Sequence, residues 1–215
     1  MEKHTVSASL TDNTRYMNRA LPVKKSFDII ERNLIIGGQN STFYFIDGFT
    51  KDETMLKLMD SFLNISADDM PEDATSFSTS CIPYVEIDIL GDFDSIFKNL
   101  LSGVTCLFID GYEAAIAIDC RTYPSRSIEE PDKDKSLRGS RDGFVETIVF
   151  NTALMRRRIR DPHLIMEMYE AGASTRTDVA LCYMSDRVDR ELLTTIQNKL
   201  GEIKSQDLKM SQQSL

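Results

Sequence analysis

Six arginines (138, 141, 156, 157, 158 and 160) fall between Arg138 and Arg160, against two acids, Asp142 and Glu146. That window carries +4 in a chain of net charge −9, which leaves −13 for the remainder. A guanidinium does not give up its proton at ordinary pH. It presents a planar fork of N–H donors that holds carboxylates or phosphates in paired hydrogen bonds. The chemistry on offer is therefore recognition and coupling between charged surfaces, not proton transfer. The candidate binding or interface residues are Arg138, Ser140, Arg141, Asp142, Asn151, Arg156, Arg157, Arg158 and Arg160. A plainer role exists for each: Asp142 as a helix cap, Asn151 satisfying backbone groups, and the arginines as a solvated face.

Other chemistries find little support. The two histidines, His4 and His163, are far apart and lack companion ligands, so neither a catalytic triad nor a histidine metal site is expected. Cys81, Cys106, Cys120 and Cys182 form no CxxC pair and read as reduced thiols. There is no GxxxxGK[ST] and no GxGxxG. The run Gly139-Ser140-Arg141-Asp142-Gly143 before a helix could present N–H groups to an anion, although Asp142 would oppose it. A nucleotide- or phosphate-binding sensor or enzyme is therefore the alternative to a non-enzymatic role. The expectation is no enzyme, no cofactor and no metal.

The arginines need a helix to position them. Residues 144–159 carry Phe144, Ile148, Met155 and Ile159 near helical spacing, with Val145 and Val149 widening the stripe. Asp142 is placed to cap that helix, Arg156–Arg158 and Arg160 sit where its dipole favours cations, and Pro162 stops it. The stripe is expected to face inward and most of the arginines outward or against acids.

Around this helix the chain divides into four parts: a partly flexible leader (1–25), a first α/β lobe (26–122), a charged linker (123–143), and the helix with a partial second α/β lobe (144–215). In the leader, residues 11–20 suit a short helix with Tyr16, Met17 and Ala20 inward. In the first lobe, strands are expected at 27–36 and 42–46, separated by Gly37-Gly38-Gln39-Asn40. Thr50 and Glu53 are spaced as a capping box for a helix to about residue 64, carrying Met55, Met59 and Phe62 inward with Leu56 and Leu63 beside them. The acidic run 66–83 reads as a mobile loop. Residues 84–90 alternate, with Val85, Ile87 and Ile89 on one face, and Asp92 can cap a helix over 92–101. The continuous apolar run 104–109 reads as the central strand of a mixed sheet, turning at Asp110-Gly111 into 114–119. The second lobe has strand candidates at 164–169 and 178–184. A helix over 187–200 follows, with Leu192, Leu193, Ile196 and Leu200 inward and Gly201 as its cap.

Two segments share the order strand–turn–strand–helix: one begins at Ile29, the other at Ile165. They read as a duplication. The first copy is followed by further strands and the second is not, so the second lobe is expected to be incomplete, with its helix stripe the less covered of the two.

Composition sets outer limits. An acidic balance of −9 argues against a nucleic-acid binder. No stretch of 18 apolar residues occurs, and the N-terminal residues lack an apolar signal core.

The segment RGSRDGFVETIVFNTALMRRRIRDP resembles the signature of the GerA family of spore germination proteins. With the preceding YPSRSIEEPDKDK it is most like a sporulation branch of that family, and the resemblance extends more weakly over 26–215. It implies a non-enzymatic, cytosol-facing region of a spore inner-membrane protein that acts in germination signalling or ion release. The implied partners are other germination subunits, further copies of the same protein, and a membrane-spanning region that lies outside this sequence.

Overall fold

A computed structural model describes residues 4–50, 52–84, 86–123 and 144–203. The expected α/β class holds, and the central sheet is built from two tight turns. Strands β1 (Ile29–Ile36) and β2 (Gln39–Ile46) are joined by Gly37 and Gly38 alone. Both glycines have positive φ, 52° and 78°, which a two-residue hairpin turn of matching twist requires. A Cβ on Gly37 would also lie 2.7 Å from Met70 Sδ. A second turn, with Gly111 at φ 91°, joins β4 (Thr105–Ile109) to β5 (Ala115–Ile118).

Strand β3 (Ile87–Leu90) completes a five-stranded sheet of order β1-β2-β4-β5-β3. The apolar run expected at the centre is β4, and it is buried throughout. The sheet is antiparallel in every pairing, which corrects the expected mixed sheet. The reason is topological. Strands β3 and β4 are linked by a helix and run the same way, but β5 inserts between them and pairs antiparallel with both.

Alternation along the strands divides the core into two layers. Tyr44, Ile46, Cys106 and Phe108 face α1 (Leu10–Ala20) and α4 (Phe93–Leu101). Phe43, Leu107, Ile109, Ile116 and Ile118 face α2 (Asp52–Leu63) and α3 (Ala74–Ser80). Asp92 caps α4 as expected, accepting from Ser95 N–H at 2.9 Å.

Helix α3 lies within the stretch read as a mobile loop. Asp73 caps it by accepting from Ser76 N–H at 2.7 Å, and Ala74 and Phe77 anchor it, so two apolar side chains suffice for a helix too short to show a period. The segment read as a leader supplies Val6, Leu10, Met17 and Leu21 to the first core layer. On α2 the buried residues are Met55, Leu58 and Phe62, while Leu56 and Leu63 are exposed. The stripe is thus rotated from the expected one, because Phe62 stacks on Phe43 and fixes the helix. On β3, Ile89 is exposed, as befits a strand at the sheet's edge; Val85 lies outside the described residues.

The second unit is a two-stranded antiparallel ribbon, β6 (Leu164–Ala171) and β7 (Thr177–Met184), followed by α6 (Arg190–Glu202). Asp189 caps α6 through the N–H groups of Glu191 and Leu192. The helix runs through Gly201, so that glycine is not its cap. Leu193 and Leu200 are buried, Ile196 is half-buried and Leu192 is exposed. The expectation that this stripe is less covered than its counterpart therefore fails: Met55 is buried and Met59 half-buried, but Leu56 and Leu63 lie open. The less covered part is β7, which is half-buried or exposed along its length.

Helix α5 (Ile148–Arg158) stands between the two units. It packs on β7, and Ala153 joins the first core layer. Among the described residues, no helix is long and apolar enough to cross a membrane.

Candidate functional site at the lobe junction

The face that α5 turns inward is set by close approach, not by its hydrophobic stripe. Gly48, at φ 78°, follows β2, and a Cβ on it would lie 3.2 Å from both Val149 Cγ1 and Ala153 Cβ. A helix seated this tightly needs small residues at the contact, so Ala153 and Thr152 lead inward and Arg156 follows one turn later. Phe144 (68 % exposed) and Ile159 (39 %) therefore point outward, and Ile148 and Met155 are half-buried, against the expected inward stripe. The helix also begins at Ile148 and not near Phe144.

Arg156 is fully buried and set against an acid, one of the two placements expected of these arginines, and does not belong to a solvated face. Its Nε donates to Asp28 Oδ2 at 2.6 Å and its Nη2 to Asp28 Oδ1 at 3.2 Å. Asp28 is itself 1 % exposed and 128 residues away in sequence. Nη2 also donates to the carbonyl of Leu164 at 2.9 Å, and Nη1 to that of Asp161 at 3.1 Å. Ser26 completes the cluster: its hydroxyl donates to Asp28 Oδ1 at 2.5 Å and accepts from the Met166 N–H at 2.9 Å. The Phe27 N–H donates to the Met166 carbonyl at 2.9 Å. One guanidinium thus ties together the entry to β1, the end of α5 and the start of β6.

The pair also marks its surroundings. Burial raises the Cys182 thiol, the Asp28 charge raises it further, and Arg156 counters. Asp47 is raised by burial, with Asp28 and Asp52 adding to the effect and the Gly48 N–H opposing it. On the other face of the ribbon, Glu167 accepts from the hydroxyls of Tyr169 and Tyr183 and from Gln197 Nε2 on α6. Burial alone would raise this carboxyl, but the three donors prevail and hold it below the usual range. Among the described residues, no group of three or more His, Cys, Asp or Glu side chains is placed to share a metal ion.

The other sequence candidates are spread around this junction. Asn151 clamps Val145 from both sides, accepting from its N–H at 2.7 Å and donating to its carbonyl at 2.7 Å. Arg157 is exposed and lies over the Tyr123 ring, 4.4 Å from its centroid. Arg158 and Arg160 are exposed, and Arg160 Nε donates to the Arg157 carbonyl at 3.3 Å. Arg138, Ser140, Arg141 and Asp142 lie outside the described residues, as does most of the linker. Sequence reasoning missed Ser26, Asp28 and Tyr123. The available signal was slight: Ser26 and Asp28 are two polar residues at strand spacing ahead of an apolar run.

Comparisons with known proteins bear on this geometry. A family model described as Bacillus/Clostridium GerA spore germination protein matches residues 16–215. Stage V sporulation protein AF of Bacillus subtilis (strain 168) is 31 % identical over 215 residues, covering 100 % of this chain and 44 % of its own length. Spore germination protein KA of the same organism is 28 % identical over 202 residues, covering 92 % of this chain and 37 % of its own. The chain thus spans less than half the length of these curated relatives. The crystal structure of the N-terminal domain of the A subunit of the Bacillus megaterium spore germinant receptor GerK3 matches with a TM-score of 0.69. It is 19 % identical and covers 97 % of this chain and 76 % of its own, a likeness of fold.

Proposed function

We infer the function from one premise: the chain belongs to the GerA family of spore germination proteins. On that footing it is a non-enzymatic, cytosol-facing part of a spore inner-membrane protein. It acts in germination signalling or ion release by transmitting a change between its two units to associated subunits. Those subunits are other germination proteins, further copies of the same protein, and the membrane-spanning region of the full-length protein.

The observation that supports this reading is the burial of Arg156 against Asp28. A buried ion pair adds little stability compared with apolar residues of the same volume. What it does supply is a fixed mutual geometry, because the fork and carboxylate fit in one arrangement. Here that arrangement joins three elements from both units. A junction of this kind suits relaying a displacement, since moving one unit means breaking or carrying the whole cluster. The exposed arginines 157, 158 and 160 extend from the same helix and are the proposed contact with partner subunits. Arg138, Ser140, Arg141 and Asp142, which belong to the same family signature, are proposed for the same role.

The test uses the full-length protein in spores. Arg157→Glu together with Arg160→Glu should slow germination while the protein still accumulates to its normal level in the inner membrane. Arg156→Met with Asp28→Leu, which removes the ionic junction without leaving a buried charge unpaired, should do so through the junction. Normal germination by spores that hold normal amounts of both variants would end the proposal.

A further inference from the structure

We propose that the cleft where the α1–β1 connector meets the start of α6 is a binding site for a small polyanion, a molecule with two or more carboxylate or phosphate groups. The cleft has a volume of about 480 Å³. Its charged lining is one-sided: Arg19, Lys24, Lys25 and Arg190 converge on it from two separate parts of the chain, with His163 beside them. All five side chains are exposed. In a protein of net charge −9, such a cluster of cations without acids between them is unusual.

The nearby acids are already engaged. Asp161 is occupied with His163, accepting from its backbone N–H at 2.8 Å and lying 2.9 Å from Nδ1. Glu167, whose charge reaches Lys25, takes donors from Tyr169, Tyr183 and Gln197. Asp186 is paired with Arg187 at 3.3 Å. Among the described residues, Arg19, Lys24 and Lys25 have no ion-pair partner. Arg190 spends one donor on the Ser185 carbonyl, at 3.0 Å, and keeps the rest of its fork for a ligand.

The geometry selects the class of ligand. Several cations around one opening are not neutralised by a single carboxylate, which favours a ligand bearing at least two anionic groups. The cleft is concave and fed by separate elements, so a flat bilayer cannot meet all of its cations at once. Its volume is too small for a nucleic-acid strand, and the acidic remainder of the surface would repel one. The proposal is independent of the coupling role given to Arg156, which is fully buried and does not line the cleft.

The test is calorimetric titration at low ionic strength with pyrophosphate and citrate as probes and acetate as the single-charge control. Three variants are compared with the parent: Lys24→Gln with Lys25→Gln, Arg190→Gln, and Lys98→Gln on the exposed side of α4. All of these side chains are exposed, and matched thermal melts check that each variant folds. At least one probe should bind saturably, acetate should not, and the two cleft variants should weaken the binding about tenfold or more. Lys98→Gln should leave it unchanged. The proposal is overturned by the absence of saturable binding for both probes, by equal weakening in Lys98→Gln, or by association with phosphatidylglycerol vesicles alone.

Discussion

Taking Arg156 and Asp28 out of water is costly, and the cluster offsets that cost with six hydrogen bonds to and around one guanidinium and its carboxylate. The balance is lost if one partner goes. Asp28→Asn or Arg156→Met should each destabilise the protein by about 3–5 kcal/mol, because the remaining charge stays buried without its mate. The double replacement, Arg156→Met with Asp28→Leu, should recover a large part of this. Urea unfolding measures all three, and a single-variant loss under about 1 kcal/mol would show that the pair relaxes into solvent. Arg157, one residue on, is the opposite case. It is exposed and stacked on Tyr123, so Arg157→Ala should cost less than about 1 kcal/mol in the same measurement.

At the scale of elements, the turns around β4 separate two effects of glycine. Gly103 has φ 101°, and a Cβ there would lie 2.4 Å from Phe49 Cδ2 in the core. Gly111 has φ 91° but open space around it. Gly111→Ala should therefore cost only the backbone strain, about 1–2 kcal/mol, whereas Gly103→Ala adds a displaced ring and should cost more. Equal losses in chemical denaturation would mean that Phe49 moves freely. The contact between the ribbon and α6 makes a pH prediction. The folded Glu167 carboxyl lies below its ordinary value of 4.5 because its hydrogen bonds outweigh burial. As pH falls, the unfolded chain takes up that proton first. The stabilisation is then complete above the ordinary glutamate range and is lost as pH drops through the folded value. Glu167→Gln should flatten the acid limb of stability against pH without removing it, since Asp73, Asp119 and Asp161 are also lowered. An acid limb of unchanged steepness would assign the effect to those aspartates alone.

Across the whole molecule, coverage is uneven. Strands β4 and β5 are buried at every position, between helices on both faces. Strand β7 is half-buried or exposed throughout, and among the described residues its outer edge has no partner strand. Hydrogen exchange should therefore be faster in β7 and α6 than in β4 and β5, because opening the ribbon exposes little new apolar surface. Equal protection in the two regions would show that the units unfold together, held by the Arg156 cluster.

The order of elements was legible in the sequence because each signal is local. Apolar runs and turn glycines mark β1, β2, β4 and β5, alternation marks β3, and Asp92 marks a helix start. The arginine-rich helix and its family signature were equally plain. Rotation of the helices was not legible. Helices α2 and α5 turn inward the face that fits Phe43 or Gly48, and a wheel drawn from one helix knows neither. Nor could the chain in one dimension distinguish Arg156 from Arg157: both lie in the same basic run. Only the fold brings Ser26 and Asp28 across the sequence to one of them and leaves the other over a tyrosine at the surface.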